Sequence, residues 1–231
     1  MSFFVDSFYS ALVLILSCDK ELFFIVLVSL KVSAISTILA SLAGVLLGCS
    51  ISFASFKGKK MVITLFNTLL SLPTVVIGLF VYAMISRRGF FGPFDLLYTK
   101  KAIIIGQTIL IIPVIVTFTI SAVSQIDKRY RKTAMTLGAN LFQTSWLIVK
   151  EAKFGITAAV IAAFGRVISE VGISMILGGN AKGFTRTMTT AMALEYDKGE
   201  FVFATALGII LLLLSFGINI IFQIIQGKSE K

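Results

Sequence analysis

The 231-residue sequence contains no histidine, so the commonest metal ligand and the commonest general base are both missing. Cysteine is nearly absent. Cys18 and Cys49 stand at the ends of apolar runs without metal-ligand neighbours and read as small, inert apolar residues. No Ser/His/Asp, Cys/His or paired-carboxylate arrangement occurs, which argues against a membrane enzyme. Gly-x-x-x-x-Gly-Lys-Ser/Thr is also missing. The chain therefore cannot build a P-loop, and any ATP hydrolysis it depends on belongs to another polypeptide. Neither a cofactor nor a metal is expected on this chain itself.

Acidic residues are scarce, 11 against 21 lysines and arginines, giving a net charge of +10. In a soluble protein that excess would suggest nucleic acid. Here 57% of residues are hydrophobic, too many for a soluble domain of this size to hide, and the cations lie mostly between apolar runs. Membrane orientation and contact with anionic lipid explain them better than nucleic acid does. With no internal repeat, low-complexity tract or linker, residues 1–231 read as one transmembrane domain.

Five runs are long enough to cross a bilayer: roughly 22–53, 61–86, 102–124, 156–177 and 201–226. Pro73 and Pro113 fall inside the second and third and predict kinks, which either pack helices or shape a pathway. Residues 1–18 read as an amphipathic helix on the membrane surface, with Phe4, Phe8, Leu12 and Ile15 on one face. No Lys or Arg precedes its apolar stretch, and Asp6 does, which argues against a cleaved leader. Five crossings put the chain ends on opposite sides. One side carries 11 cations, including those of residues 125–155 and Lys228 and Lys231 of the tail; the other carries 8. The bias places 125–155 and the C-terminus in the cytoplasm.

The stretch DKRYRKTAMTLGANLFQTSWLIVKEAK, residues 127–153, is a polar island between two spans, yet its own pattern is helical. Ala134, Leu137, Gly138 and Leu141 follow the i, i+3, i+4, i+7 spacing of a narrow small-and-apolar stripe. Gly138 ends or bends the first helix, Ala139-Asn140 makes a turn, and a second helix runs through Phe142, Trp146 and Val149. The stripe must be covered, either by a groove on another protein or by the membrane surface.

This island resembles the coupling-helix loop of ATP-binding-cassette importer permeases, whose motif reads Glu-Ala-Ala, three residues, Gly. Lys132-Thr133-Ala134 stands where Glu-Ala-Ala is usual, and Gly138 keeps its place. SLKVSAISTILASLAGVLLG looks like the first core helix of these permeases. SLPTVVIGLFVYAMISRRGFFGPF and the residues after it resemble the branch that moves oxyanions. RVISEVGISMILGGNAKGFTRTMTTAMALEYDKGEF, with Ser169-Glu170-Val171-Gly172 and then Gly179-Asn180, resembles the tungstate permeases, and more distantly the molybdate and sulfate ones.

That resemblance implies an all-α, type I importer fold with about five core transmembrane helices. It implies a homodimer enclosing the path of an oxyanion, tungstate before molybdate or sulfate. It also implies a cytoplasmic ATPase dimer that uses ATP and Mg, and an extracytoplasmic substrate-binding protein. It gives Thr133, Ala134, Leu137, Gly138, Ala139 and Leu141 the role of contacting the ATPase. An ATP-independent channel or secondary carrier is the competing class.

Two further groups stand out. Arg166 and Glu170, four apart in the fourth span, read as an ion pair that either holds the bundle or lines a gate. Gly179, Asn180, Thr185 and Arg186 lie in an outer segment that reads as a connecting turn or as an anion contact. The resemblance favours docking of the binding protein there, with TRTMTTAMALEY as a re-entrant or surface helix. The outer loops hold 7 cations (Arg87, Arg88, Lys100, Lys101, Lys182, Arg186, Lys198) and 4 acids, a positive rim suited to an anion.

Overall fold

The computed structural model describes residues 2–227, with side chains from Val5 to Ile224; Lys228, Lys231 and the Phe4 side chain lie outside the described residues. Among the described residues every regular element is helical. α1 is Ser2–Leu16, α2 Lys20–Phe53, α3 Lys59–Leu69, α4 Thr74–Ile85, α5 Lys100–Ser124, α6 Lys128–Thr136, α7 Leu141–Glu151, α8 Lys153–Ile168, α9 Gly172–Gly178, α10 Met188–Asp197 and α11 Phe201–Gly227.

By length and composition, α2, α5 and α11 can each cross a membrane unbroken. The other two expected spans are broken: α3 and α4 meet at 98°, and α8 and α9 at 59°. At the first break the expected kink is replaced by a sharp turn. The α3 helix tightens into i→i+3 bonds at Leu70, Ser71 and Leu72. Pro73, lacking an N–H to continue the helix, then starts α4 from an extended conformation. Pro113, by contrast, is buried within a continuous α5.

The centre of the bundle is the long parallel seam of α2 and α5, in which Ser36 faces Gln107 and Gly48 faces Thr119, and onto which α8, α9 and α4 pack. Ala40, Ile111, Ile115, Val81, Ala163, Val167, Ile173 and Leu177 form its main apolar core. Small residues let the seam close. A side chain grafted onto Gly48 would stand 2.8 Å from Thr119 Cβ and 3.0 Å from the Val116 carbonyl oxygen. Polar groups fasten the same region. Ser36 on α2 donates to Gln107 Oε1 on α5 at 3.0 Å, and Gln107 Nε2 reaches Ser174 on α9 at 3.5 Å.

A second core joins α1, α2, α10 and α11 through Ala11, Leu22, Ile25, Met188, Ala191 and Leu207. In α1 the packed face is Ala11, Leu14 and Ile15, which lie against α11. Of the described side chains on the face expected from the sequence, Ile15 packs, while Phe8 and Leu12 are exposed. The tertiary contact follows the small residue, Ala11, that lets two helices approach.

Candidate functional site

The polar island folds as the helix-turn-helix its pattern predicts. Asp127 caps α6 by accepting from the Arg129 N–H at 2.8 Å. Gly138 closes α6 with a left-handed φ of +84°. Gly138 N–H donates to the Met135 carbonyl at 3.1 Å and Ala139 N–H to the Ala134 carbonyl at 3.0 Å, the two bonds of a Schellman cap. Asn140 then starts α7 with a capping box, its side chain and that of Gln143 each accepting the other's backbone N–H. The turn is therefore hydrogen-bonded on both sides and its shape is fixed.

What this turn presents is apolar and uncovered. Leu137 is 82% exposed and Phe142 79%, and Met135, Leu141 and Trp146 are exposed beside them. Thr133 and Gly138 are exposed and Ala139 is half-buried. Ala134 departs from expectation, because it is buried where α6 packs on α7. It supports the knob from inside. Behind the turn, Ile148 and Ala152 join Val123, packed with Cys49 and Ile156, so the knob is seated on the ends of the bundle.

The fourth span corrects the Arg166–Glu170 reading. The helix stops at Ile168, so the two residues do not share a helical face and no ion pair joins them among the described residues. Glu170 instead accepts from the Ile173 N–H at 3.2 Å and caps α9. Thr189 Oγ1 donates to the Glu170 carbonyl at 2.8 Å. The Ser169 hydroxyl satisfies carbonyls of the preceding turn at Gly165 and Arg166. This break lies against the other one, with Gly172 beside Thr74 and Val75 at the start of α4.

The segment 178–200, expected on the outer side, folds back against the bundle. Gly179 and Asn180 adopt left-handed backbone after α9. Asn180 donates to the Thr190 carbonyl at 3.2 Å. Thr185 is fully buried and bonds to the Gly178 carbonyl at 2.6 Å. Arg186 is only 8% exposed and lies between Glu195 (3.6 Å) and Glu21 (3.8 Å). Thr185 and Arg186 therefore cannot serve as an exposed docking surface in this arrangement. They hold the loop whose tip, residues 181–184, is exposed. α10 is tied to α2 through the Met188 N–H, which donates to Ser29 Oγ at 2.7 Å.

The expected positive rim is correspondingly thinner. Lys182 pairs with Glu21 at 2.7 Å and Lys198 with Glu195 at 3.0 Å. Arg87 and Arg88 remain on a cavity of about 680 Å³, shared with Tyr82, Asp95 and Tyr98. Hydrogen bonding and repulsion from the Tyr82 phenol push the Tyr98 hydroxyl above its ordinary range, so it stays neutral. Among the described residues no three His, Cys, Asp or Glu side chains gather as metal ligands.

The site therefore sits on an all-helical bundle with two broken spans and an uncovered apolar knob at one end. The chain belongs to the family of inner membrane components of binding-protein-dependent transport systems, matched over residues 23–231, and is an ATP-binding-cassette importer permease. It is similar to the tungstate uptake system permease protein TupB of Peptoclostridium acidaminophilum, 36% identical over 99% of this chain and 100% of that one. It is also 41% identical to a Haloferax volcanii protein named "Probable anion ABC transporter permease protein", over 83% of this chain and 85% of that one. Inward-facing MetNI methionine ABC transporter shares the fold: TM-score 0.70, 16% identity, covering 90% of this chain and 97% of that one.

Proposed function

We propose that this chain forms, as a homodimer, the membrane path of an importer for a tetrahedral oxyanion, and that the anion is tungstate. The observation that carries the reading is the end-to-end similarity to a tungstate uptake permease. A separate cytoplasmic ATPase dimer, using ATP and Mg, grips the two α6–α7 knobs, one from each copy. Nucleotide closure draws the knobs together and turns the bundle outward; hydrolysis lets it return inward. Thr133, Leu137, Gly138, Ala139 and Leu141 make the grip, and buried Ala134 backs it. An extracytoplasmic binding protein delivers the anion to the opposite face, where it meets the 181–184 tip framed by Gly179, Asn180, Thr185 and Arg186. On this reading the knob and the C-terminus are cytoplasmic, and α1 lies at the outer leaflet.

The force path has a physical rationale. An exposed apolar knob in water is costly unless another surface covers it. A turn fixed by a Schellman cap on one side and a capping box on the other can transmit displacement instead of absorbing it. The experiment is uptake by proteoliposomes holding permease, ATPase and binding protein, with the binding protein's ligand measured by calorimetry against tungstate, molybdate and sulfate. ATP-dependent tungstate uptake is the expected result. Uptake without ATPase or ATP would sink the importer mechanism. A binding protein that holds sulfate and ignores tungstate would overturn the cargo.

A further inference from the structure

Arg166, in the last turn of α8, is the only lysine or arginine between residues 154 and 181. A guanidinium at this depth in a span is retained where it is paired or where it faces water. It is not paired here. The break at 169–171 turns Glu170 to the α9 N-terminus. Among the described residues the Arg166 guanidinium has no hydrogen-bond or ion-pair partner, and its Nε is buried without an acceptor. The carbonyl end of α8 offers the cation some stabilisation, but Ser169 occupies two of those carbonyls.

The surface beside the arginine is open. Ala162, Gly165 and Ser169 are exposed, and a side chain grafted onto Gly165 would meet nothing within 4 Å. Small residues flank the charge and leave room next to it. Lipid against this face would leave a full charge unsolvated, so the face must look onto water or onto an anion.

We propose that Arg166 faces the passage between the two copies and is the cation that the oxyanion meets in mid-membrane. The guanidinium offers N–H donors whose fork geometry matches two oxygens of a tetrahedral anion. Because no carboxylate occupies it, the site exchanges ligand freely. A single cation per copy is enough to admit an anion without trapping it. This rests on the oxyanion reading of the permease and names the residue that the anion meets.

The test uses the whole transporter in proteoliposomes, with Cys18→Ser and Cys49→Ser in the permease. Arg166→Cys is expected to lower tungstate uptake by about tenfold or more, while ATP hydrolysis stimulated by loaded binding protein is kept. Reaction of the introduced thiol with 2-aminoethyl methanethiosulfonate restores a cation and recovers uptake. The 2-sulfonatoethyl reagent installs an anion and does not. Parental uptake by Arg166→Cys, no reaction of the thiol in any nucleotide state, or no recovery with the cationic reagent each overturns the proposal. Should Arg166→Cys fail to assemble, Arg166→Lys decides: near-parental uptake supports a charge on the path, and loss of assembly there too makes the residue a structural tie. The cargo reading fails separately. Parental transporter that moves molybdate or sulfate but no tungstate refutes tungstate and leaves the Arg166 comparison readable with that anion. Parental transporter that moves no oxyanion refutes the reading before any variant is made.

Discussion

Replacing Gly138 with alanine asks whether the shape of the α6–α7 turn carries force. Gly138 holds φ at +84°, and a Cβ there would touch nothing within 4 Å, so the penalty is backbone strain alone. A non-glycine residue in this conformation costs about 1–2 kcal/mol. The strain is relieved by giving up the bonds from Gly138 and Ala139 to Met135 and Ala134. The properly shaped knob then falls by roughly 5–30-fold relative to opened forms. The spans make no contact that depends on this residue, so thermal melting of the bundle should not move. The assay is retention of the ATPase partner on tagged permease, together with the ratio of anion uptake to ATP hydrolysed. Gly138→Ala should weaken retention and lower the ratio, and Gly138→Asn, which tolerates the left-handed region, should do so less. Leu137→Asp removes an 82% exposed apolar contact without strain and should lose the partner as well. The reasoning is refuted if Gly138→Val, the harshest backbone change, keeps both retention and the uptake ratio at parental values.

Two further outcomes follow from the packing. Arg186→Met leaves Glu195 buried beside only Lys198, and breaking a buried pair costs about 3–5 kcal/mol, with the low end expected at ion distances of 3.6–3.8 Å. Its melting temperature in detergent should fall clearly, whereas Glu21→Gln, at a half-exposed site, should cost under about 1 kcal/mol; equal melting of both variants would contradict the account. Gly48→Val drives a side chain into Thr119 and the Val116 carbonyl and should destabilise the α2–α5 seam by about 1–3 kcal/mol. Gly165→Ala, which meets open space, should melt like the parent.

The knob was legible in the sequence because its determinants are local. Gly138 marks a left-handed cap, Asn140 with Gln143 marks a helix start, and neither needs a partner elsewhere in the chain. The Asn-x-x-Gln box was available as a signal and sharpens the turn that Ala139-Asn140 alone suggested. The breaks were only partly legible. Pro73 announced a disturbance, but its 98° angle depends on how α4 lodges against α9. The break after Ile168 has no proline. Spacing of four suggested an Arg166–Glu170 pair only because the helix was assumed to continue.

The sequence by itself determined that this chain spans a membrane and where its long helices run. These follow from composition and from the 3.6-residue period, which act within one segment. Tertiary structure alone decided which charges are used up and which are free. Arg186, read as a surface cation, is enclosed by Glu21 from distant α2 and Glu195 from α10, which follows it directly. The Arg166 guanidinium, read as paired, has no partner among the described residues because the backbone turns before its carboxylate arrives. Charge neutralisation acts over a few ångströms in space, and residues 165 positions apart can satisfy it while residues four apart do not.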